Sequence, residues 1–491
     1  MNANRKYQRI MLTQPNFGWS GKRTWKLPPY ALGLLNAALK KHDYQSSIYD
    51  PNFLESTEEE VRAELRRTQP DVVGITSSSL EYMQENQKMA QIIRDELPDG
   101  IIIMGGILPT VLPEKTLEDT NLDYLVIGEG EYRLPDLLEA LNTDRSKLHA
   151  IDGLAWRENS KDIIQPMKEF ITDLDAVDFP DYGDLDYSGY GNYEHKYTHY
   201  LLPRQFPYAI TITSRGCPYR CIFCASATVS GRKSRFRSAE NVLAEIDALY
   251  KKYGIKEFIF IDDHFLMDQA RNFKIMNGLI ERNYPITWKC GNVNAWHLNR
   301  EILELMRKSG CYQFTISPES GNQHVLKNIV KKPGKLDKIP EIMHIAKELG
   351  FEVAANFVIG FPGETWEQIR DTCRYAENLE VDMVSFHLAT PLPKTELMDI
   401  CLREGIISID ETDDVYGYTK GVIETKDFKP MELQILRAFE WDRINFTDEK
   451  RKQSIARMEG ITLEELEEWR IRTRRNLGVT VGWQKQVKKV G

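Results

Sequence analysis

Three cysteines stand close together in this chain, in the run Cys217-Pro-Tyr-Arg-Cys221-Ile-Phe-Cys224. Their C-x3-C-x2-C spacing follows a β-rich run, and Gly216 permits a tight loop there. Three thiolates from one short loop can hold three irons of a cubane cluster, leaving the fourth iron without a protein ligand and open to chemistry. A structural zinc site usually needs four protein ligands and commonly pairs two C-x2-C halves; the sequence has no second half. An ordinary electron-transfer cluster would want a fourth cysteine near by. The remaining thiols, Cys290, Cys311, Cys373 and Cys401, stand singly and read as small buried hydrophobes.

The elements that must position this loop form a β/α series. Strands are predicted at 209–214, 257–262, 287–291, 312–316, 352–359 and 383–388, with helices between them. Six such units at regular spacing suggest a partial version of the eightfold barrel, in which the working residues sit at strand C-termini. Polar residues fall at those ends: Asp262-Asp263 after the second strand, Glu319-Ser320-Gly321 after the fourth, and Gly360-Phe-Pro-Gly-Glu364-Thr365 after the fifth. The aspartates have an alternative use as caps of the helix before Gln269. Arg235 and Arg237 either meet a carboxylate or line a solvated strand.

Upstream, residues 8–141 read as a separate doubly wound parallel sheet of five β/α units. Strands are predicted near 10–13, 47–49, 72–76, 101–104 and 124–127; Leu32, Leu35 and Leu39 follow a helical period, as do Met89, Ile92, Ile93 and Leu97. The strands end in loops at 14–21, 77–79, Gly105-Gly106 and Gly128-Glu129-Gly130. Ligands of such sheets lie across the carboxyl ends of the strands at the switch point, so a large, flat or phosphate-bearing ligand is expected. From 142 to 206 the pattern weakens to a hairpin (153–156 with 163–165) and a tyrosine-rich stretch, Tyr182, Tyr187, Tyr190, Tyr193, Tyr197 and Tyr200. This stretch is read as a packed linker, with a substrate-covering loop as the alternative. After about residue 400 the chain is helical and charged; Thr462-Leu-Glu-Glu465 fits a capping box, and the basic tail 484–490 is expected to fray. The domain division is thus 1–141, 142–206, 207–400 and 401–491.

At 491 residues the chain exceeds any single small binding module. Its 42% hydrophobic and 28% charged composition is that of a soluble globular protein, and no apolar run approaches the roughly 20 residues of a membrane span. No signal-peptide core follows Met1, so a cytoplasmic location is expected. A net charge of −9 gives no general support to nucleic-acid binding. Seven cysteines, thinly spread, are unlike a secreted disulfide scaffold.

The triplet, on the loop after the first strand of six β/α units, resembles the radical S-adenosylmethionine (SAM) superfamily. The resemblance implies that Cys217, Cys221 and Cys224 bind a [4Fe-4S] cluster whose fourth iron is chelated by SAM. It implies that Phe223 packs near the adenine, that Glu319, Ser320 and Gly360 contact SAM, and that Asp262 and Asp263 contact SAM or a neighbouring cofactor. A SAM molecule needs carboxylates and hydroxyls to accept its hydrogen bonds and glycines to admit it to the backbone. The reduced cluster would split SAM into methionine and a 5′-deoxyadenosyl radical. The first domain resembles the cobalamin-binding branch through Pro28-Pro29-Tyr30-Ala-Leu-Gly33, Val73-Gly74-Ile75-Thr76, Met104-Gly105-Gly106, Pro113-Glu114, Asp123-Tyr-Leu-Val-Ile-Gly128-Glu129-Gly130-Glu131, Leu174-Asp175 and Phe179-Pro180. Thr76, Ser77, Gly105, Gly106, Gly128 and Glu129 are then the expected cobalamin contacts. Where cobalt-ligating domains carry Asp-x-His-x-x-Gly, this chain has Gln14-Pro-Asn-Phe-Gly18-Trp19, which implies cobalamin without a histidine ligand. The nine histidines are read as surface or capping residues.

The implied function is a cobalamin-dependent radical SAM C-methyltransferase. Methylcobalamin would supply the methyl group to an unactivated carbon after hydrogen abstraction by the deoxyadenosyl radical. The alternatives are a cyclisation or rearrangement with the same cofactors and, from another class, a non-catalytic cobalamin or redox sensor. A methylthiotransferase acting on RNA is disfavoured, because that family carries further cysteines in its first domain and this chain has none there. The expected partners are a small-molecule or peptide substrate and an external low-potential electron donor, with no nucleic acid and no membrane span.

Overall fold

The computed structural model describes residues 5–21, 27–183, 185–187, 190, 203–407, 416–417, 420–447 and 449–475. They fall into two compact units: Met1–Tyr193 with Phe206–Pro218 and Ser226–Ile255, and Glu194–Gln205 with Tyr219–Ala225 and Lys256–Gly491.

The first unit contains a seven-stranded sheet ordered β2-β1-β3-β4-β5-β6-β7. Its strands are β1 (Arg9–Thr13), β2 (Gln45–Tyr49), β3 (Val72–Ser77), β4 (Ile101–Gly106), β5 (Tyr124–Val126), β6 (Leu154–Glu158) and β7 (Lys161–Ile164). β1 to β5 are parallel, and the near-continuous apolar runs of β1, β3, β4 and β5 are those of strands covered on both faces, whereas the edge strand β2 is polar and part-exposed. Leu32 and Leu39, from the helix Tyr30–Lys41, share a core with Ile10, Leu12, Ile103 and Leu137. Met89, Ile92 and Ile93, from the helix Met83–Glu96, are likewise buried. The 2-1-3-4-5 order puts the topological switch between β1 and β3.

The hairpin read from the sequence as part of the linker joins this sheet instead. β6 pairs antiparallel with β5, Leu125 opposite Ala155, and β7 pairs with β6. Leu154, Ala155 and Trp156 are all buried, so one apolar run suffices to dock the hairpin on the sheet edge. Tyr182, Tyr187 and Tyr190 are buried too: Tyr190 stacks on Phe53 and donates to Asp50 at 2.5 Å, and Tyr182 and Tyr187 pack with Tyr253. Tyr193, Tyr197 and Tyr200 lie outside the described residues. A methyl group on Gly33 would come within 2.9 Å of the Pro180 Cβ, so the glycine lets the segment before Tyr182 lie directly on the helix Tyr30–Lys41. This unit also holds the buried strand β8 (Tyr208–Thr211), shorter than predicted, and the antiparallel pair β9 (Ser214–Arg215) and β10 (Arg235–Phe236).

In the second unit β11 (Glu257–Phe260), β12 (Thr287–Val293), β13 (Cys311–Glu319), β14 (Glu352–Ile359) and β15 (Met383–Leu388) lie side by side in sequence order, all parallel. The helices Gln269–Arg282, Arg300–Lys308, Ile339–Glu348 and Trp366–Asn378 connect them. The N-terminal strand ends share a polar network: Tyr312 donates to Glu257 at 2.6 Å, and the backbone of Arg204 and Gln205 donates to the same carboxylate. The buried Lys289 stands near Tyr312, its ammonium pulled down to about 8 by burial. Such a network at the closed end of a β/α array serves stability.

The last strand, β15, is covered by the helix Pro430–Asn445. Asn445 accepts from the Val384 N–H at 2.9 Å and donates to the Val384 carbonyl at 2.7 Å, while Arg437 donates to the Phe386 carbonyl at 3.4 Å. The sequence placed helices here and gave them no such task. Among the described residues no helix is long and apolar enough to cross a membrane.

Candidate functional site

The cysteine loop is fixed from both sides. Gly216 has φ +87°, and a methyl group there would lie 2.5 Å from the Lys233 carbonyl oxygen, so only glycine turns the chain into Cys217. The Cys217 N–H donates to Gly231, and that of Cys224 to Cys221, both at 3.1 Å. Between the last two cysteines the buried Ile222 donates its N–H to Val330 at 3.1 Å and accepts from Leu397 at 2.9 Å. None of the seven cysteines is in a disulfide; Cys217 and Cys221 are half-buried, Cys224 is exposed, and the four others are buried, as the sequence suggested. Among the described residues no three His, Cys, Asp or Glu side chains converge as ligands of one metal ion would. A cubane asks for no such convergence, since its three thiolates bind three different irons.

The strand ends of the second unit carry the remaining polar groups. Asp262 is buried at the end of β11. The cap of the helix Gln269–Arg282 is Asp268, which accepts from Arg271, so neither Asp262 nor Asp263 caps that helix. Phe223 lies 5.7 Å from Phe361, ring to ring.

Glu319, at the end of β13, is buried with φ +65°, and its carboxylate accepts from Lys332 at 2.7 Å; Lys332 also donates to the Ser317 carbonyl at 2.7 Å. Burial pushes the Glu319 carboxyl up against the pull of Lys332. Lys332 stays charged despite its own burial, because Glu319, Cys221 and Cys224 favour the ammonium. The Ser320 hydroxyl, 3.1 Å from that of Thr372, accepts from the Asn322 N–H and so shapes its own turn.

Gly360 has φ +89°, with Leu433 packed where a side chain would begin. Glu364 accepts from the N–H groups of Gly360 and Phe361 at 2.8 and 3.1 Å, and burial pushes its carboxyl up to about 7.

One group departs from the sequence expectation. His264 is not a surface histidine: it is 2% exposed, and neither ring nitrogen has a hydrogen-bond partner among the described residues. It meets His297 edge-on at 4.7 Å, and His297 Nε2 is 3.1 Å from the hydroxyl of Tyr219, inside the cysteine loop. Burial first, then His297 and Lys332, lower the His264 pKa to about 3, so the ring is neutral. The available signal was its place directly after Asp262-Asp263 at a strand end.

In the first unit Thr76 pairs with Gly105 and Ser77 with Gly106 across β3 and β4. A methyl group on Gly105 would meet Val126 at 3.8 Å, an ordinary contact, so packing does not demand glycine there. Gly106 is held differently: a side chain there would collide with the Ser77 carbonyl oxygen at 2.3 Å. The Ser77 hydroxyl accepts from Asn86 at 3.2 Å, and a methyl on Gly128 would strike the Met167 sulfur. The loop after β1 is pinned by Gln14, which donates to Asp50 at 2.9 Å, and by Phe17 stacked on Tyr82; it offers cobalt no histidine.

Glu129 departs from its expected role. Its carboxylate accepts from Arg215 at 2.9 Å, Arg235 at 2.8 Å and the Ile171 N–H at 2.6 Å, so the side chain is committed to a buried ion pair and unavailable to a ligand. Arg235 and Arg237 both meet carboxylates, Arg237 pairing with Glu245 at 2.6 Å.

Comparison with known proteins bears on this arrangement. Residues 211–376 match the model of the radical SAM superfamily, and residues 21–138 that of the B12 binding domain. An uncharacterized methyltransferase of Pyrococcus horikoshii is 30% identical over 382 residues, which are 77% of this chain and 80% of that one. The chain belongs to the cobalamin-binding radical SAM family. An anaerobic magnesium-protoporphyrin IX monomethyl ester cyclase of Cereibacter sphaeroides is 27% identical over 441 residues, covering 87% of this chain and 67% of the other. Among solved structures, the cobalamin-dependent SAM radical enzyme OxsB, with aqua-cobalamin and SAM bound, shares the fold at TM-score 0.72 and 18% identity, over 96% of this chain and 72% of that one. As a radical SAM enzyme of the cobalamin-binding branch, the chain has a [4Fe-4S] cluster, SAM and cobalamin as its cofactors.

Proposed function

We propose that this radical SAM enzyme transfers a methyl group to an unactivated carbon of a small-molecule or peptide substrate. The observation that carries this reading is the matching of both cofactor domains in one chain whose 30% identical relative is named a methyltransferase. When bound, the cluster with SAM supplies a hydrogen-abstracting radical and the corrinoid supplies the methyl group. Cys217, Cys221 and Cys224 would hold the cluster. Phe223, Asp262, Asp263, Glu319, Ser320 and Gly360 would border SAM, with Glu319 accepting its hydrogen bonds while Lys332 holds the carboxylate in place. Thr76, Ser77, Gly105, Gly106 and Gly128 would border cobalamin, with no histidine on cobalt. The protein's task is placement, since radical transfer asks for position more than for proton traffic. The place of action is the cytoplasm, with an external low-potential electron donor and no nucleic acid.

The test is anaerobic incubation with reductant, methyl-deuterated SAM and a metabolite extract. A product carrying one labelled methyl, with S-adenosylhomocysteine and 5′-deoxyadenosine formed together, supports methyl transfer. 5′-Deoxyadenosine with no labelled product refutes it and supports cyclisation or rearrangement, the reading favoured by the cyclase relative. Absence of 5′-deoxyadenosine leaves only the sensor.

A further inference from the structure

The ion pair between Lys332 and Glu319 belongs to no expected ligand set as a pair, and its surroundings give it a direction. Lys332 and Glu319 are 8% and 7% exposed, and a buried ion pair is costly to desolvate and is no gain in stability by itself. Its lysine end is tied to the cysteine loop through the backbone: Val330, two residues before Lys332, accepts the N–H of Ile222, which lies between Cys221 and Cys224. The ammonium stands 5.9 Å from the Trp296 ring, and Trp296 meets Tyr219 of the same loop at 5.8 Å. The positive end therefore stands beside the cysteine loop. After burial and the neighbouring His297, its charge also helps keep His264 neutral.

We propose that Lys332 is a positioning residue of the iron–sulfur site: held on the Glu319 carboxylate, its fixed charge stands beside the loop of Cys221 and Cys224 and raises the reduction potential of the cluster bound there. The inference rests on the reading of the three cysteines as cluster ligands. A reduced cluster carries one more negative charge than an oxidised one, and a buried cation beside it favours the reduced form, since net charge and burial set these potentials. The electron comes from the external donor, and Lys332 neither gains nor loses a proton in the step.

The experiment is an EPR-monitored redox titration of the full chain, reconstituted anaerobically without SAM, comparing wild type, K332M, K332R and E319Q. K332M is expected to lower the potential, by 59 mV for each tenfold loss in the one-electron reduction equilibrium. K332R is expected to hold it. E319Q, which removes the opposing negative charge, is expected to shift it the other way. A structural role alone cannot reverse the sign between two variants of one ion pair. The proposal is overturned if K332M binds its iron and keeps the wild-type potential, or if E319Q moves the potential in the same direction as K332M. If K332M fails to hold iron, E319Q decides: a potential above that of wild type supports the proposal, and one at or below it overturns the proposal. Failure of the wild-type chain itself to take up about four irons refutes the cysteine assignment instead.

Discussion

Glu364 makes the stability of the second unit depend on pH in a way that can be worked out. Its carboxyl moves from 4.5 to about 7 because burial penalises the charged form, while two backbone N–H groups pull the other way. A folded-state value above the unfolded one means that the contribution is fully present below pH 4.5 and is lost as pH rises through 7. At 1.36 kcal/mol per pH unit the whole effect is about 3 kcal/mol, of which about 2.5 kcal/mol falls between pH 5 and 8.5. Glu364→Gln is neutral throughout and keeps an oxygen for the Gly360 and Phe361 N–H groups, so the other titrating groups cancel in the comparison. Urea unfolding of the metal-free chain should show wild type losing about 2.5 kcal/mol relative to Glu364→Gln across that range. The same substitution at the exposed Glu367 should leave the pH profile unchanged. A wild-type minus Glu364→Gln difference that stays flat would mean that the carboxyl is ionised in the folded chain, and the burial argument would fail.

Three further outcomes are expected. Glu129→Ala strands Arg235 as a buried cation, while Arg215 keeps Glu131, and should destabilise the first unit by about 3–5 kcal/mol, read by chemical denaturation; no measurable change would show that the pair is solvated. Cys221→Ser should abolish iron uptake and the cluster absorbance, whereas Cys401→Ser, at a buried thiol, should leave iron per chain unchanged. Gly33→Ala places a methyl 2.9 Å from the Pro180 Cβ and should cost about 1–3 kcal/mol of overpacking, read as a lowered thermal midpoint.

The parallel strands were legible because covered strands leave unbroken apolar runs such as Ile10-Met11-Leu12 and Val72-Val73, and the cysteine loop because its spacing is local. What the sequence hid was pairing at a distance. Leu154 to Trp156 reads as an isolated hairpin strand until Tyr124 to Val126 is known to lie beside it. Glu129 sits in a glycine-rich loop that looks like a ligand contact; only the fold shows that Arg215 and Arg235 claim its carboxylate. His264 carries no periodicity or spacing signal, and its burial depends on Tyr219 and His297 arriving from elsewhere in the chain. Asp262 and Asp263 looked able to cap a helix that Asp268 in fact caps.

The helix along β15 also decides how this enzyme can be divided. An array of parallel strands that stops short of a closed barrel has an end strand whose outer N–H and C=O groups would template pairing with any extended segment, including the same strand of another copy. Asn445 occupies both outward backbone groups of Val384, and Arg437 takes the carbonyl two residues on. The carboxyl-terminal region is therefore a guard against self-association. A chain cut after residue 400, at the boundary that the β/α pattern alone recommends, would keep every cysteine of the cluster loop and still be prone to assemble edge to edge.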